Sequence, residues 1–315
     1  MLFRNLHSSA SLELVRYADI DQFRESERYA SAESTPLRAG RFAVLRASVA
    51  LPSCSLSLVR TFPRIIKGYD LSGRLVVVVP MDGVTSTRVN GKEIGQSLVI
   101  VKGNANCTVY EPEGRLVAIL SIRRSALAEN WLTLDDGHCL LELPETALAR
   151  LQMHIRSVLE TAAEHPLAIR TDGTPETIER ALFSAFDEAM CAGHFDRHEA
   201  RMRYKTIVDH IERTVSANQT TDIYFDALAQ EIGISTRTMH SAVNAVCGTS
   251  PLRYSQLRRL WDVRRQLRNG APGLTVKASA CAHGFWHMGD FSKLYRDTIG
   301  ELPSQTLANA RRLLT

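Results

Sequence analysis

The apolar positions of this chain change their period along its length, and each change predicts a different kind of element. Residues 1 to 35 carry a mixed, charge-rich pattern with Leu12, Val15, Tyr17, Ile20 and Phe23 as apolar anchors, which predicts a short helix and a loop at a domain edge. From Arg41 the pattern alternates, through Phe42, Val44 and Arg46 and again through Leu56, Leu58 and Arg60, as half-buried strands do. Leu75 to Val79 is a continuous apolar run. Asn90-Gly91, set between Thr87 to Val89 and Ile94, predicts a hairpin turn, because both of its residues tolerate positive φ. Shorter runs at Leu98 to Val101, Thr108 to Tyr110 and Leu116 to Ile122 extend the set, which suggests a sandwich or barrel of jelly-roll type.

From Pro144 the period becomes helical. Leu148, Leu151, Ile155, Val158 and Ala162 form one stripe; after a break from Pro166 to Gly173, Thr174-Pro175 opens a second helix carrying Ile178, Leu182, Phe186 and Ala189. These two helices suit either packing on the strands or pairing with another chain. The helix from Arg201 to Val215 then starts an all-helical part, with Ile207, Ile211 and Val215 on one face.

Two stretches of that part share one grammar. Ala229 and Gly233 stand four apart, with Phe225, Leu228, Ile234 and Met239 around them; Ala280 and Gly284 repeat the spacing, followed by Phe285, Trp286, Phe291 and Tyr295, which read as core rather than as stacking platforms. The alanine lets a second helix approach closely, and the glycine supplies the left-handed backbone of a sharp inter-helix turn. Ser235 caps the helix that follows the first turn, and Ser250-Pro251 opens a long connecting helix through Leu252, Leu257, Leu260, Trp261 and Leu267 to Asn269-Gly270. Its outward side carries Arg253, Arg258, Arg259, Arg264, Arg265 and Arg268. The expected architecture is α+β in two domains. A β-rich, barrel or jelly-roll-like domain occupies 1–192, with its helices at about 144–192, and 193–200 forms a hinge. An all-α domain follows at 201–315, with helix-turn-helix units at about 225–246 and 276–297 joined by a linker helix.

The second unit also reads as a loose A-x3-G-F, then a spaced Phe-Ser-Lys-x-Tyr, then G-x2-P-S: Ala280, Gly284, Phe285, Phe291, Ser292, Lys293, Tyr295, Gly300, Pro303 and Ser304. In this, and in the tandem, the C-terminal part of the chain resembles the AraC/XylS family of bacterial transcription regulators. The resemblance implies a cytoplasmic, nucleoid-associated regulator of promoter or operator DNA, acting by activation rather than repression, with RNA polymerase as a partner. It also implies that the front half senses a small-molecule effector and supports a homodimer through the two helices after Pro144.

On that frame Thr236, Arg237, His240, Ser241 and Asn244 are the candidate base-reading residues. Arg237 suits a guanine, Asn244 an adenine, and His240 donates or accepts. In the second unit the corresponding residues are His287, Met288, Asp290, Ser292 and Lys293. Asp290 repels phosphate and Gly289 stands where the family more often has serine, so this unit is expected to hold the backbone more than to read bases. Ser235, Ser250, Arg258, Arg296 and Ser304 are the candidate phosphate contacts. Ser241 stands where the family often has arginine, so no relative's sequence preference transfers.

Composition adds a charge asymmetry. The chain of 315 residues is 44% hydrophobic and 23% charged, ordinary for a globular protein, and its formal net charge is +4. Residues 201–315 hold 16 Lys and Arg against 9 Asp and Glu, while residues 1–200 hold 22 against 25. Positive charge confined to the helix-turn-helix part is the footprint expected of phosphate binding. The six cysteines form no regular spacing and no CxxC pair, which argues against a disulfide framework or zinc cluster. Neither a signal segment at MLFRNLHSS nor a membrane-length apolar run is present.

Candidate chemistry is sparse. No histidine lies between Arg41 and Ile122, so a metal site in the strands is not expected, and no cofactor or catalytic residue is assigned. His194 and His198 stand four apart without further ligands nearby, which reads as a surface pair. Arg46, Arg60, Arg64 and Lys67 suit either an anionic effector of unknown identity or plain solvated charge. Two other functions remain. An alkyl-transfer repair enzyme with a fused reader would need an activated cysteine; His138-Cys139 is the adjacent pair, and it lacks the Pro-Cys-His core of such enzymes. A ligand-independent regulator controlled by a partner protein is the other.

Overall fold

The computed structural model describes residues 3, 6–27, 32–38, 43–83, 85–126, 137–196, 202–217 and 225–314. Phe42, His198 and Arg201 lie outside these residues.

Among the described residues the front half is one antiparallel sheet of eleven strands. They are β1 (Glu13–Tyr17), β2 (Glu33–Pro36), β3 (Val44–Ala50), β4 (Cys54–Arg60), β5 (Arg64–Pro80), β6 (Arg88–Val89), β7 (Lys92–Glu93), β8 (Leu98–Glu111), β9 (Leu116–Arg123), β10 (Gly137–Glu142) and β11 (His194–Asp196). The main path runs β1-β3-β4-β9-β5-β8-β10-β11, with β2 on β5 and β6 on both β7 and β8. Among the described residues its end strands β1 and β11 do not pair with each other, so the expected barrel is barrel-like but open. The bend comes from β5, which pairs with β8 along its length and with β9 only from Arg74 onward. Its register shifts fall between Lys67 and Tyr69 and between Leu71 and Leu75, beside Gly68 (φ 59°) and Gly73 (φ 75°), where a side chain would be strained. The Asn90-Gly91 turn has positive φ at both residues, 50° and 83°, as a two-residue hairpin demands.

Three strand assignments differ from the sequence expectation. The N-terminal segment contains α1 (Ile20–Glu27), but β1 and β2 flank it where a loop was expected. The apolar runs at Leu98 and Thr108 are one strand, β8, carried through its polar middle by Gly103 at φ 61°. β10 had no signal and is placed by its pairing with β8.

Helices α2 (Glu145–Glu164) and α3 (Thr174–Ala192) press their stripes into the sheet: Leu148, Leu151, Ile155, Leu182 and Phe186 join Leu12, Leu56, Val77 and Leu141 in one core. These stripes serve the packing of the domain itself. The C-terminal half holds α4 (Met202–Ala217), α5 (Phe225–Glu231), α6 (Thr236–Cys247), α7 (Pro251–Arg268), α8 (Val276–Ala282), α9 (Met288–Ile299) and α10 (Pro303–Leu314). They make two cores. Ile207, Ile211, Met239, Val243 and Tyr254 fill one, and Leu260, Leu267, Ala280, Phe291, Tyr295 and Leu307 the other. α7 lends residues to both, so it fixes the two units relative to each other. Ile65 of β5 completes the first core, so the sheet reaches into the helical half.

Candidate nucleic-acid interface

The two turns are built alike. In the first, Gly233 (φ 70°) ends α5 and the Ile234 amide donates to the Ala229 carbonyl at 2.9 Å. In the second, Gly284 (φ 75°) ends α8 and the Phe285 amide donates to the Ala280 carbonyl at 3.0 Å. The bond spans five residues and closes only because glycine takes the left-handed conformation. Ala229 and Ala280 are fully enclosed at these points, where a larger side chain would push the helices apart.

α6 starts from Ser235, whose Oγ accepts from the Thr238 amide at 3.1 Å. Met239, Ala242, Val243, Val246 and Cys247 are buried. Opposite them Arg237, His240, Ser241 and Asn244 are exposed side by side, at the i, i+3, i+4 and i+7 positions of one helical face. Thr236 is different: it is half-buried and its hydroxyl donates to Asp226 Oδ1 at 2.9 Å, which ties α6 to α5.

α9 starts at Met288 without a side-chain cap and ends at Gly300 (φ 88°). Phe291, Tyr295 and Thr298 are buried; His287, Asp290, Lys293 and Arg296 are exposed, and Met288 and Ser292 half-buried. The sequence placed Phe285, Trp286, Phe291 and Tyr295 all in the core. Three are there, stacked with centroids 5.2 and 5.6 Å apart, whereas Trp286 is 59% exposed in the turn. Ser304 is exposed in the first turn of α10, which begins one residue earlier at Pro303. The Ser250 hydroxyl is engaged as a cap, accepting from the Arg253 amide at 3.3 Å.

Apart from the exposed Arg265, the arginines of α7 are half-buried or buried. Arg259 and Arg264 are buried, Arg259 with its guanidinium 5.5 Å from the Phe285 ring. Arg258 pairs with Glu33 of β2 at 2.6 Å, Arg264 with Asp21, and Arg268 with both Asp19 and Asp21 at 2.6 Å. Between them Trp261 donates its indole N–H to the Pro36 carbonyl at 3.1 Å and carries the Arg24 guanidinium 5.0 Å over its ring. Burial works to raise the Asp19 carboxyl, but the Asp21 amide and Arg268 outweigh it and hold it below the usual range. Burial likewise opposes, and Arg258 with Lys67 and Arg24 outweighs it, at Glu33.

A second contact joins the sheet to the first unit. Arg88 of β6 donates to the Asn244 and Ala245 carbonyls at 3.2 and 3.4 Å, the negative end of α6. Lys67 meets Glu212 of α4, with the Tyr254 hydroxyl donating to the same carboxylate at 2.9 Å and its ring 4.3 Å from the Lys67 Nζ. Burial pushes Glu212 up to about 7 and Lys67 down to about 7. Of the four cations proposed for an effector, Lys67 thus faces the reader, and Arg60 is exposed at the end of β4.

Arg46 and Arg64 line a cavity of about 480 Å³ on the inner side of the curled sheet. Val78, Val101 and Ile119, with Phe23 of α1, give it a mainly apolar wall, into which Ser55, Ser57 and Ser121 also face. Arg64 is neutralised by Glu111 at 2.9 Å. Arg115, which sequence reasoning missed, also lines it; it is 3% exposed, stands 3.7 Å from Asp82, and its Nε and Nη2 make no hydrogen bond among the described residues. No local pattern marks it, since it lies in a turn. His138 stands 3.1 Å from the Asn90 amide rather than beside a base for Cys139.

A family model described as a helix-turn-helix domain matches residues 228–309. The XylDLEGF operon transcriptional activator 2 of Pseudomonas putida is 33% identical over 106 residues, which are 33% of this chain and 65% of that protein. The HTH-type transcriptional activator RhaS of Pectobacterium atrosepticum is 29% identical over 86 residues, 27% of this chain and 30% of that protein. The matched segment therefore spans less than two thirds of these relatives' own length. Among solved structures, a probable AraC family transcriptional regulator from Rhodopseudomonas palustris is 36% identical over 34% of this chain and 98% of that one, at TM-score 0.32.

Proposed function

We propose that this chain, whose C-terminal part matches a helix-turn-helix family model and is similar to the XylDLEGF operon activators, is a transcription regulator of the AraC/XylS family that reads double-stranded DNA. The observation that carries the reading is the exposed row Arg237, His240, Ser241 and Asn244 on a helix whose other side is buried, held in a tandem frame. Arg237 takes a guanine edge, Asn244 an adenine edge, and His240 and Ser241 the bases between. Thr236 stands at the start of the row, fixed by Asp226. His287, Met288, Asp290, Ser292 and Lys293 form the second contact, in which Lys293 and Arg296 hold phosphate. Ser235, Ser250 and Ser304 lie at helix starts, where main-chain amides favour anions.

The rest of the reading concerns the front half. The cavity takes an effector with an apolar body and an anionic end, the latter against Arg115. The protein works in the cytoplasm as a homodimer and as an activator that meets RNA polymerase at a promoter. The test is selection of bound duplexes from a randomised pool by the full chain. Enrichment of two short blocks about one helical turn apart is expected, since neighbouring major-groove faces lie about 34 Å apart. A pool that stays random after repeated rounds would reject sequence-specific reading.

A further inference from the structure

Three arginines of α7 meet anions of the sheet domain in this structure. Arg258, Arg264 and Arg268 share Glu33, Asp21 and Asp19, all from the segment spanning α1 and β2. We propose that these arginines are a phosphate-binding surface that α1 and β2 cover, so that the sheet domain competes with duplex DNA for α7. The inference rests on the DNA-reading function proposed above.

Guanidinium forks bind carboxylate and phosphate by the same geometry, so one surface serves both. The carboxylates are only partly enclosed: the Glu33 side chain is 48% exposed and that of Asp19 34%. Ion pairs so exposed are individually weak and exchangeable. A duplex offers a denser row of charge, one per about 1.7 Å of axis. Covering also hides Trp261, 4% exposed beneath Arg24 and bonded to the Pro36 carbonyl. α1 has a further role in the same arrangement, because Phe23 and Ser26 line the cavity while Asp21 and Arg24 face α7. An occupant of the cavity therefore touches the element that holds the arginines.

The test compares two triple variants of the full chain with equal charge change. Asp19→Asn/Asp21→Asn/Glu33→Gln removes the covering carboxylates, and Glu145→Gln/Glu160→Gln/Glu176→Gln neutralises exposed positions on α2 and α3. Binding to a scrambled duplex is followed by anisotropy across a potassium chloride series. The first triple is expected to bind about tenfold tighter than the second, with the log–log salt slope steeper by about 2 to 3 for three freed cations. Equal affinity and slope in the two triples would overturn the proposal.

Iodide quenching of Trp261, in a Trp131→Phe/Trp286→Phe background, reads the covering without DNA. Quenching is expected to rise in the first triple alone, and unchanged protection would also overturn the proposal. If no variant bound duplex, the DNA-reading function would fall, and the Trp261 readout would still decide the contact. Glu33→Gln alone, which frees Arg258 and leaves the other pairs, gives a milder variant should the triple fold poorly; a slope change of about 1 is expected, and none would count against the proposal.

Discussion

Gly248, which ends the first recognition helix at φ 67°, faces the ring of Tyr110 so closely that a Cβ on it would lie 2.0 Å from the ring carbon Cζ. The same ring carries Arg88 at 5.5 Å, and Arg88 reaches the last carbonyls of that helix. The helix C-terminus is thus seated on the sheet while the face of Arg237, His240, Ser241 and Asn244 stays exposed. Gly248→Ala is expected to cost about 1 to 2 kcal/mol for the left-handed backbone, and more for the displaced ring. Urea unfolding in a Tyr110→Ala background checks this: the extra cost should shrink there, because contacting residues are not additive.

The pair of Lys67 and Glu212 joins the sheet to α4 where both side chains are largely enclosed, and burial drives each group towards its neutral form. Removing one partner leaves the other buried alone, at a cost of about 3 to 5 kcal/mol. Lys67→Met and Glu212→Gln should therefore each destabilise more than the two changes together. Chemical denaturation of the three variants gives the comparison, and simple addition of the single effects would contradict it.

Acid should loosen the contact between α7 and the sheet. Asp19 and Glu33 are held below their ordinary values of 3.8 and 4.5 in the docked form. A carboxyl depressed on docking favours docking above its ordinary value, and that contribution is lost as pH falls through the docked value. The groups facing them, Arg24, Lys67, Arg258, Arg264 and Arg268, stay cationic there and repel once the carboxyls are protonated. Trp261 quenching should stay flat from pH 7 to about 5 and rise below about 4. A rise centred near pH 6 to 7 would point instead to the pair of Glu212 and Lys67, each shifted to about 7 by burial.

The helix-turn-helix units were legible because their causes are local. The Ala229–Gly233 and Ala280–Gly284 spacings, the Ser235 cap and the positive-φ glycines each act within one or two turns of chain. The same holds for the Asn90-Gly91 hairpin. Trp286 was misjudged because its aromatic neighbours on either side are core, and sequence pattern does not separate a turn residue from them. What stayed hidden was long-range. β2 and β10 have little pattern of their own and exist by pairing with β5 and β8. The arginines of α7 read as an outward row, yet the acidic partners of Arg258, Arg264 and Arg268 lie more than two hundred residues away, in β2 and at the start of α1, beyond the reach of any periodicity. Arg115 shows itself only once the strands around it close on a cavity.

Lys293 tests the division of labour between the units. As a phosphate contact, Lys293→Ala should weaken binding to all duplexes alike and make the salt slope shallower by about 1. Competition between a selected site and scrambled DNA reads this, and a loss confined to one base pair would show that the second unit reads sequence.

The central claim, that the first unit discriminates bases through its exposed row, is tested most directly by Arg237→Ala on the site recovered from randomised duplexes, with every single-base variant measured in parallel. The account predicts a loss of about 1 to 3 kcal/mol in preference at one base pair and little change at the others. An unchanged preference at every position would contradict it.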